Sequence, residues 1–178
     1  MKLPNKLTCL RVIMIPFCIF FLLTDFVPGS RIIALVIFLA ASFTDYLDGH
    51  IARSRNLVTN FGKFMDPLAD KLLVCSVLIC FVQMGMLPAW MVIIIIAREF
   101  IISGFRLIAS DAGIVIAASW WGKTKTVTQM ALVIVMMLGI PALHILEIIL
   151  MWAALILTVV SLVDYIAKNK EVLTSGGM

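Results

Sequence analysis

The chain has 178 residues, of which 63% are hydrophobic and only 13% are charged, and its mean hydropathy is +1.14. A soluble domain is usually about 45–50% apolar and about 25% charged. Folding in water cannot hide this much apolar surface, so the composition excludes a water-soluble protein and predicts a membrane protein. The net charge is +4, and its meaning depends on where the basic residues lie.

Apolar stretches separated by turn residues predict an all-α, polytopic membrane protein with six transmembrane helices. The predicted helices are residues 7–25, 31–54, 65–85, 88–110, 119–140 and 143–166. Three connections between them are short and contain Gly and Pro, whereas those around 53–63 and 106–125 are longer and polar. The whole chain, residues 1–178, is predicted to form one membrane domain.

Basic residues lie almost entirely on one side of this arrangement. If the N-terminus is inside, 13 of the 14 Lys and Arg residues lie at or near the inner face, and only Arg31 lies outside. By the positive-inside rule, this asymmetry predicts that both termini are cytoplasmic. It also explains the net charge without a nucleic acid partner, because such residues lie against anionic lipid headgroups.

Charged residues also enter the inner halves of the predicted helices. Only 13 uncharged residues separate Arg31 from Asp45, whereas a span needs about 20 residues. The second helix must therefore carry Asp45 to membrane depth or to the inner headgroups. The fourth helix has Arg98, Glu99 and Arg106 in its inner half. This pattern predicts a bundle that is apolar in its outer half, with a polar cavity that faces the cytoplasm.

Four aspartates lie within 26 positions of this region, namely Asp45, Asp48, Asp66 and Asp70. A charged residue at the centre of a membrane helix costs roughly 2.5–3.5 kcal/mol, so intramembrane carboxylates indicate function. The four would repel one another unless cations neutralised them. Hard oxygen donors without paired His or Cys favour Mg²⁺ or Mn²⁺ over zinc. The alternative is that they cap helix ends, which fits Asp66 best because it precedes Pro67.

The helical period groups these carboxylates with small residues. At about 100° per residue, Asp45 and Asp48 share one helix face with Gly49 and Ala52. The third and fourth aspartates are likewise about one turn apart. Small side chains leave room for a bulky ligand, and magnesium usually binds through a few carboxylates together with substrate phosphates. The expected substrate therefore carries a diphosphate or triphosphate.

Written with their spacings, these positions are Asp45-x2-Asp48-Gly49-x2-Ala52-Arg53-x8-Gly62-x3-Asp66-x3-Asp70. The pattern resembles the signature of the CDP-alcohol phosphotransferase family at all eight defined positions. The resemblance extends over the whole chain as a six-helix membrane protein. It implies an enzyme that transfers the phosphatidyl group of CDP-diacylglycerol to a small alcohol and releases CMP.

The resemblance also implies roles for individual residues. Two divalent cations, Mg²⁺ or Mn²⁺, would be held by Asp45, Asp48, Asp66 and Asp70. The last of these would also be the catalytic base that takes the proton of the attacking hydroxyl group. The CDP group would be surrounded by Gly49, Ala52, Arg53 and Gly62. The segment Pro4-Asn5-x2-Thr8-x2-Arg11 is similar to the family's interfacial segment, which implies that Asn5 lies near the nucleotide.

Segments of the second half imply an acceptor. Residues 97–100, 103–107 and 117–126, together with 62–71, are similar to the bacterial phosphatidylglycerophosphate synthases within that family. The acceptor would then be sn-glycerol 3-phosphate. Its phosphate would be held by Arg98, Arg106 and Lys123, and arginine is well suited to forked hydrogen bonds with phosphate. The alternative is that these are topological charges, with Arg98 paired to Glu99 or to an aspartate.

The same residues are compatible with other functions. Within the family, the acceptor could be inositol phosphate, serine or phosphatidylglycerol. Outside it, the carboxylates could line a cation pathway in a small transporter, although their clustering on the inner side leaves the outer half without a polar track. The resemblance further implies a multi-pass protein of the bacterial cytoplasmic (inner) membrane, with a cytoplasmic active site. Small-residue runs such as Ala40-Ala41-Ser42 permit close helix packing, including packing in a homodimer.

Overall fold

The computed structural model describes residues 3–24, 27–54, 60–111 and 119–169. Within its helices, the description is limited to the backbone at residues 3–8, 45–54, 60–67, 70 and 110–111. This part of the chain contains six α-helices, one short 3-10 helix and no strand. The prediction of an all-α chain is therefore confirmed for the described residues.

The six helices occupy the predicted places in the chain. They are α1 (Leu3–Leu23), α2 (Ser30–Ser54), α3 (Asn60–Gln83), α4 (Ala89–Asp111), α5 (Trp120–Leu138) and α6 (His144–Lys168). The 3-10 helix, Pro141–Leu143, directly precedes α6. The first and third helices begin a few residues earlier than predicted, because each continues through the more polar segment that precedes its apolar run.

Each of the three short connections contains a glycine in the left-handed region, with φ of 85° at Gly29, 71° at Gly85 and 61° at Gly139. Glycine reverses the chain there without the steric cost that a Cβ would carry. Space adds a second constraint at Gly139, where a Cβ would lie 2.8 Å from Nη1 of Arg31. The other terminal nitrogen of Arg31 lies 3.0 Å from Sδ of Met86. One arginine side chain therefore contacts two of these connections.

The described chain divides into two compact units. The first comprises Met1–Met86 and Met137–Gly139. In this unit, α1 packs against both α2 and α3. Its core contains apolar side chains such as Ile15, Phe38 and Phe81, all of which are buried.

The second unit comprises Leu87–Met136 and Ile140–Met178. Here α4 packs against α6. Aromatic pairs lie near the two ends of this contact: the rings of Trp90 and Trp152 are 6.4 Å apart, and those of Phe105 and Tyr165 meet edge to face at 6.1 Å. The second unit also buries several polar side chains, and these form the arrangement described below.

By length and composition, one stretch of the described chain, Pro141–Lys168, is apolar enough to cross a membrane. The apolar parts of three other helices are shorter, at Cys9–Leu23, Ser30–Thr44 and Lys71–Gln83. Asp45 follows the apolar stretch of α2, and Asp70 precedes that of α3.

Candidate active site

The four aspartates lie on two helices of the first unit. Asp45 and Asp48 are within α2, and Asp66 and Asp70 are within α3. The helical backbone places the members of each pair about one turn apart, on one face of their helix. The side chains of all four lie outside the described residues, so their mutual distances stay a prediction.

The position of Asp66 bears on the alternative that it caps a helix. An N-cap residue immediately precedes the first helical residue. Asp66 lies six residues after Asn60, the first residue of α3, and therefore within the helix. The N-cap interpretation of Asp66 is wrong, because α3 begins in the polar segment before the apolar run.

The residues predicted to surround the CDP group are also on helices of the first unit. Gly49, Ala52 and Arg53 belong to the last turns of α2, Gly62 to the first turn of α3, and Asn5 to the first turn of α1. Their side chains lie outside the described residues. Among the side chains that the structure does describe, no group of three or more His, Cys, Asp or Glu could hold a metal ion, and the signature aspartates are not in that set.

Arg98, in α4, is buried, with 7% of its surface exposed. Its Nε donates a hydrogen bond to Oγ of Ser161 in α6, at 3.1 Å, and its Nη1 donates to Oε1 of Glu99, at 2.9 Å. The ion pair with Glu99 that the topological interpretation expects is therefore present. These two bonds still leave N–H donors on Nη1 and Nη2 for a further oxygen.

The same carboxylate oxygen of Glu99 also accepts a hydrogen bond from Nζ of Lys125 in α5. Lys125 is only 2% exposed. The Arg98 cluster, defined here as Arg98, Glu99, Lys125 and Ser161, thus joins three helices and contains two cations but one anion. A buried cation is costly unless an opposite charge lies beside it, and the contact with Glu99 offsets part of that cost for both basic side chains.

Arg98 also lies against the start of α5. A Cβ on Gly122 would lie 3.3 Å from Nη2 of Arg98, and the N–H of Gly122 donates to Oγ of Ser119 at 3.1 Å. The first turn of α5 contains no acidic residue. Because a helix N-terminus carries partial positive charge, the guanidinium of Arg98 adds its charge to a turn of the same sign.

Lys123 and Arg106 are both exposed, and neither pairs with another residue in the described parts of the chain. Lys123 directly follows Gly122, so the structure brings its backbone to the turn that Arg98 contacts. Arg106 lies about 12 Å further along α4 than Arg98, at about 1.5 Å per residue. Of the three residues predicted to bind the acceptor phosphate, two share one location, and Arg106 is about two turns away.

Neither Lys125 nor Ser161 is among the site residues that the sequence predicts. For Lys125 a weak signal existed, since a lysine near the start of a helix that continues into an apolar run needs a partner if it is buried, but the sequence does not say which partner. For Ser161 there was none, because a hydroxyl in an apolar helix, 63 residues from Arg98, has no local pattern that indicates a contact.

Comparison with known proteins identifies the family. The sequence profile of the CDP-alcohol phosphatidyltransferases matches residues 1–160. The chain is 42% identical to the CDP-diacylglycerol–glycerol-3-phosphate 3-phosphatidyltransferase of Bacillus subtilis (strain 168), over 97% of both chains. It is 41% identical to a protein of Mycobacterium tuberculosis (strain CDC 1551 / Oshkosh) named "Probable phosphatidylglycerophosphate synthase", over 94% of this chain and 81% of that one. A Rickettsia bellii (strain RML369-C) protein with the same name as that of B. subtilis is 37% identical over 96% of both chains. The chain therefore belongs to the CDP-alcohol phosphatidyltransferase family.

Proposed function

We propose that the protein transfers the phosphatidyl group of CDP-diacylglycerol to sn-glycerol 3-phosphate, giving phosphatidylglycerophosphate and CMP. The observation that carries this proposal is the 42% identity, over nearly the full length of both chains, to a protein named for that reaction. The eight signature positions from Asp45 to Asp70 supply the matching chemistry.

In the reaction, the acceptor hydroxyl oxygen forms a bond to the phosphatidyl phosphorus. The bond from that phosphorus to the bridging oxygen of the pyrophosphate breaks, and CMP leaves with that oxygen.

Purified protein should release CMP from CDP-diacylglycerol when sn-glycerol 3-phosphate is added, and a chelator such as EDTA should stop the release until Mg²⁺ or Mn²⁺ is restored. Labelled CMP and the lipid product are measured by chromatography. Parallel reactions with inositol phosphate, serine and phosphatidylglycerol identify the acceptor. Activity with one of these and none with glycerol 3-phosphate would contradict the proposed acceptor. An absence of CMP release with every acceptor would contradict the enzyme itself.

For the cofactor, we propose that the four signature aspartates hold two divalent cations. The chemistry of the donor set supports this, since the backbone presents two pairs of carboxylate positions, each about one turn apart on α2 and α3. Bound divalent cations would neutralise charge on the pyrophosphate and on the departing CMP. Asp70 would accept the proton of the attacking hydroxyl group, and Gly49 and Ala52 would leave room for the CDP group beside the carboxylates.

Substituting Asp45, Asp48 or Asp66 with Asn should lower turnover by at least about a hundredfold, because each change removes a charged ligand of the proposed site. Asp70→Asn should still bind CDP-diacylglycerol but fail to release CMP when the acceptor is added. Asp164→Asn is the matched control, since Asp164 pairs with Lys168 on α6 at 2.7 Å and lies outside the signature. Near-normal turnover in two of the first three variants would contradict the two-metal proposal.

The membrane arrangement that we propose has six spans, cytoplasmic termini and a polar cavity on the cytoplasmic side. The six helices are 19 to 25 residues long, or about 28–38 Å, enough for a hydrocarbon core of about 30 Å. Large apolar side chains are exposed on every one, for example Phe17, Val36, Ile79, Ile93, Val127 and Ile156. Exposed Trp90 and Trp120 begin helices at opposite proposed faces, as interfacial tryptophans do.

Labelling of introduced cysteines with a membrane-impermeant maleimide tests this topology. Val27→Cys, in the first short connection, should react in intact cells. Asn169→Cys, just after α6, should react only after the cells are made permeable. The parent chain, with its own cysteines, measures the background. Equal labelling of both variants in intact cells would show that the proposed orientation or number of spans is wrong.

We further propose that the acceptor phosphate binds where Arg98 meets the start of α5. Support comes from the arrangement of charge: the guanidinium, the N-terminal turn of α5 and Lys123 bring positive charge together. A dianionic phosphate monoester offsets that charge and can accept bonds from the remaining Arg98 donors. Arg106 lies about two turns from Arg98 along α4, so we expect it to contribute less to phosphate binding than Arg98 or Lys123.

Replacing Arg98 with Lys, or Lys123 with Ala, should raise the KM for glycerol 3-phosphate far more than the KM for CDP-diacylglycerol. Loss of one charge-assisted contact is worth roughly 1.5–3 kcal/mol, or about tenfold to a hundredfold. Arg98→Lys is included because lysine cannot make a forked contact. Arg106→Lys should have a smaller effect in the same direction. Lys168→Ala is the control for a charge that affects only topology. If Arg98→Lys and Lys168→Ala have the same KM for glycerol 3-phosphate, the proposed acceptor site is wrong.

A further inference from the structure

We infer that Glu99 and Ser161 are positioning residues that hold the Arg98 guanidinium ready for the acceptor phosphate, an inference that rests on the acceptor site proposed above. Arginine has several rotatable bonds, and an unrestrained side chain loses much of its freedom when it binds a ligand. Affinity rises when the protein has already removed that freedom. Ser161 binds Nε at 3.1 Å and Glu99 binds Nη1 at 2.9 Å, so two edges of the planar group are fixed.

Ser161 is itself oriented by its own helix. Its hydroxyl group donates to the carbonyl oxygen of Thr158, at 3.0 Å. Because a serine hydroxyl has a single hydrogen, this bond directs its lone pairs away from Thr158, and one of them accepts from Nε of Arg98. Ser161 is fully buried, so water does not compete for the contact.

Glu99 holds the opposite edge of the guanidinium and is anchored by Lys125. Since the two cations share Oε1 of Glu99, the carboxylate is held between α4 and α5. Its negative charge lies beside both basic side chains of the Arg98 cluster. The remaining edge of the Arg98 guanidinium lies beside the start of α5, since a Cβ on Gly122 would be only 3.3 Å from Nη2.

Ser161→Ala is the primary test, because it removes one oxygen atom and leaves the charges in place. We expect the KM for glycerol 3-phosphate to rise about threefold to tenfold, the effect of one lost hydrogen bond. The KM for CDP-diacylglycerol should not change. Thr158→Val is the matched control: its hydroxyl is buried on the same helix and donates to the carbonyl of Ala154, at 2.6 Å. Equal acceptor KM values in the two variants would overturn the role of Ser161.

Glu99 needs a second variant, because Glu99→Gln alone leaves Lys125 beside a neutral group and destabilises the fold. The double variant Glu99→Gln with Lys125→Met removes one charge of each sign. We expect it to recover the thermal stability that the single variant loses, while its acceptor KM stays raised. Recovery of both quantities would show that Glu99 has only a structural role and would overturn its positioning role.

The Arg98→Lys enzyme, assayed in parallel, separates this inference from the proposal on which it rests. If Arg98→Lys raises the acceptor KM while the Ser161 and Glu99 variants leave it unchanged, the positioning inference is wrong and the acceptor site stands. If Arg98→Lys also leaves the acceptor KM unchanged, both the proposed acceptor site and the positioning roles of Ser161 and Glu99 are wrong. A raised acceptor KM in all three, with unchanged CDP-diacylglycerol KM, supports both.

Discussion

An ionised side chain in a medium of low dielectric constant needs an opposite charge beside it, and much of this structure follows from that constraint. Arg98 and Lys125 come from different helices, and both are buried against the carboxylate of Glu99. These contacts join α4 and α5, and the bond from Arg98 to Ser161 adds α6. In the proposed function, the signature aspartates meet the same requirement by binding divalent cations.

In the proposed six-span arrangement, α2 and α3 each have an apolar half and a half that carries charged residues. In α2 and α3 the apolar parts are Ser30–Thr44 and Lys71–Gln83, and the other part of each helix carries the signature. A span that brings polar groups to membrane depth necessarily has a short apolar half. Within the described residues, Pro141–Lys168 is long and apolar enough to cross a membrane.

In the proposed reaction, the two substrates are recognised by different chemical means. The donor has a pyrophosphate and a cytidine group, and its proposed contacts are carboxylate-held cations and small residues that admit a large ligand. The acceptor has one phosphate, and its proposed contacts are a preorganised guanidinium and a helix N-terminus. The signature is local in sequence and defines the donor. The acceptor contacts come from separate helices, so related chains can keep the donor chemistry and differ in the alcohol they use.

The sequence by itself determined the all-α class, the helix positions to within a few residues and the family, because these depend on local apolar periods, turn glycines and spacings along one or two helices. Spacing along a helix also placed each aspartate pair on one face. The sequence offered Glu99 as a partner of Arg98, but only the tertiary structure decided which partners this pair has on other helices. Ser161 is 63 residues away and Lys125, which shares Glu99, is 26 residues from that carboxylate. Which side chains meet across helices depends on how the helices pack, and no local pattern around Ser161 or Lys125 specifies which residue it contacts.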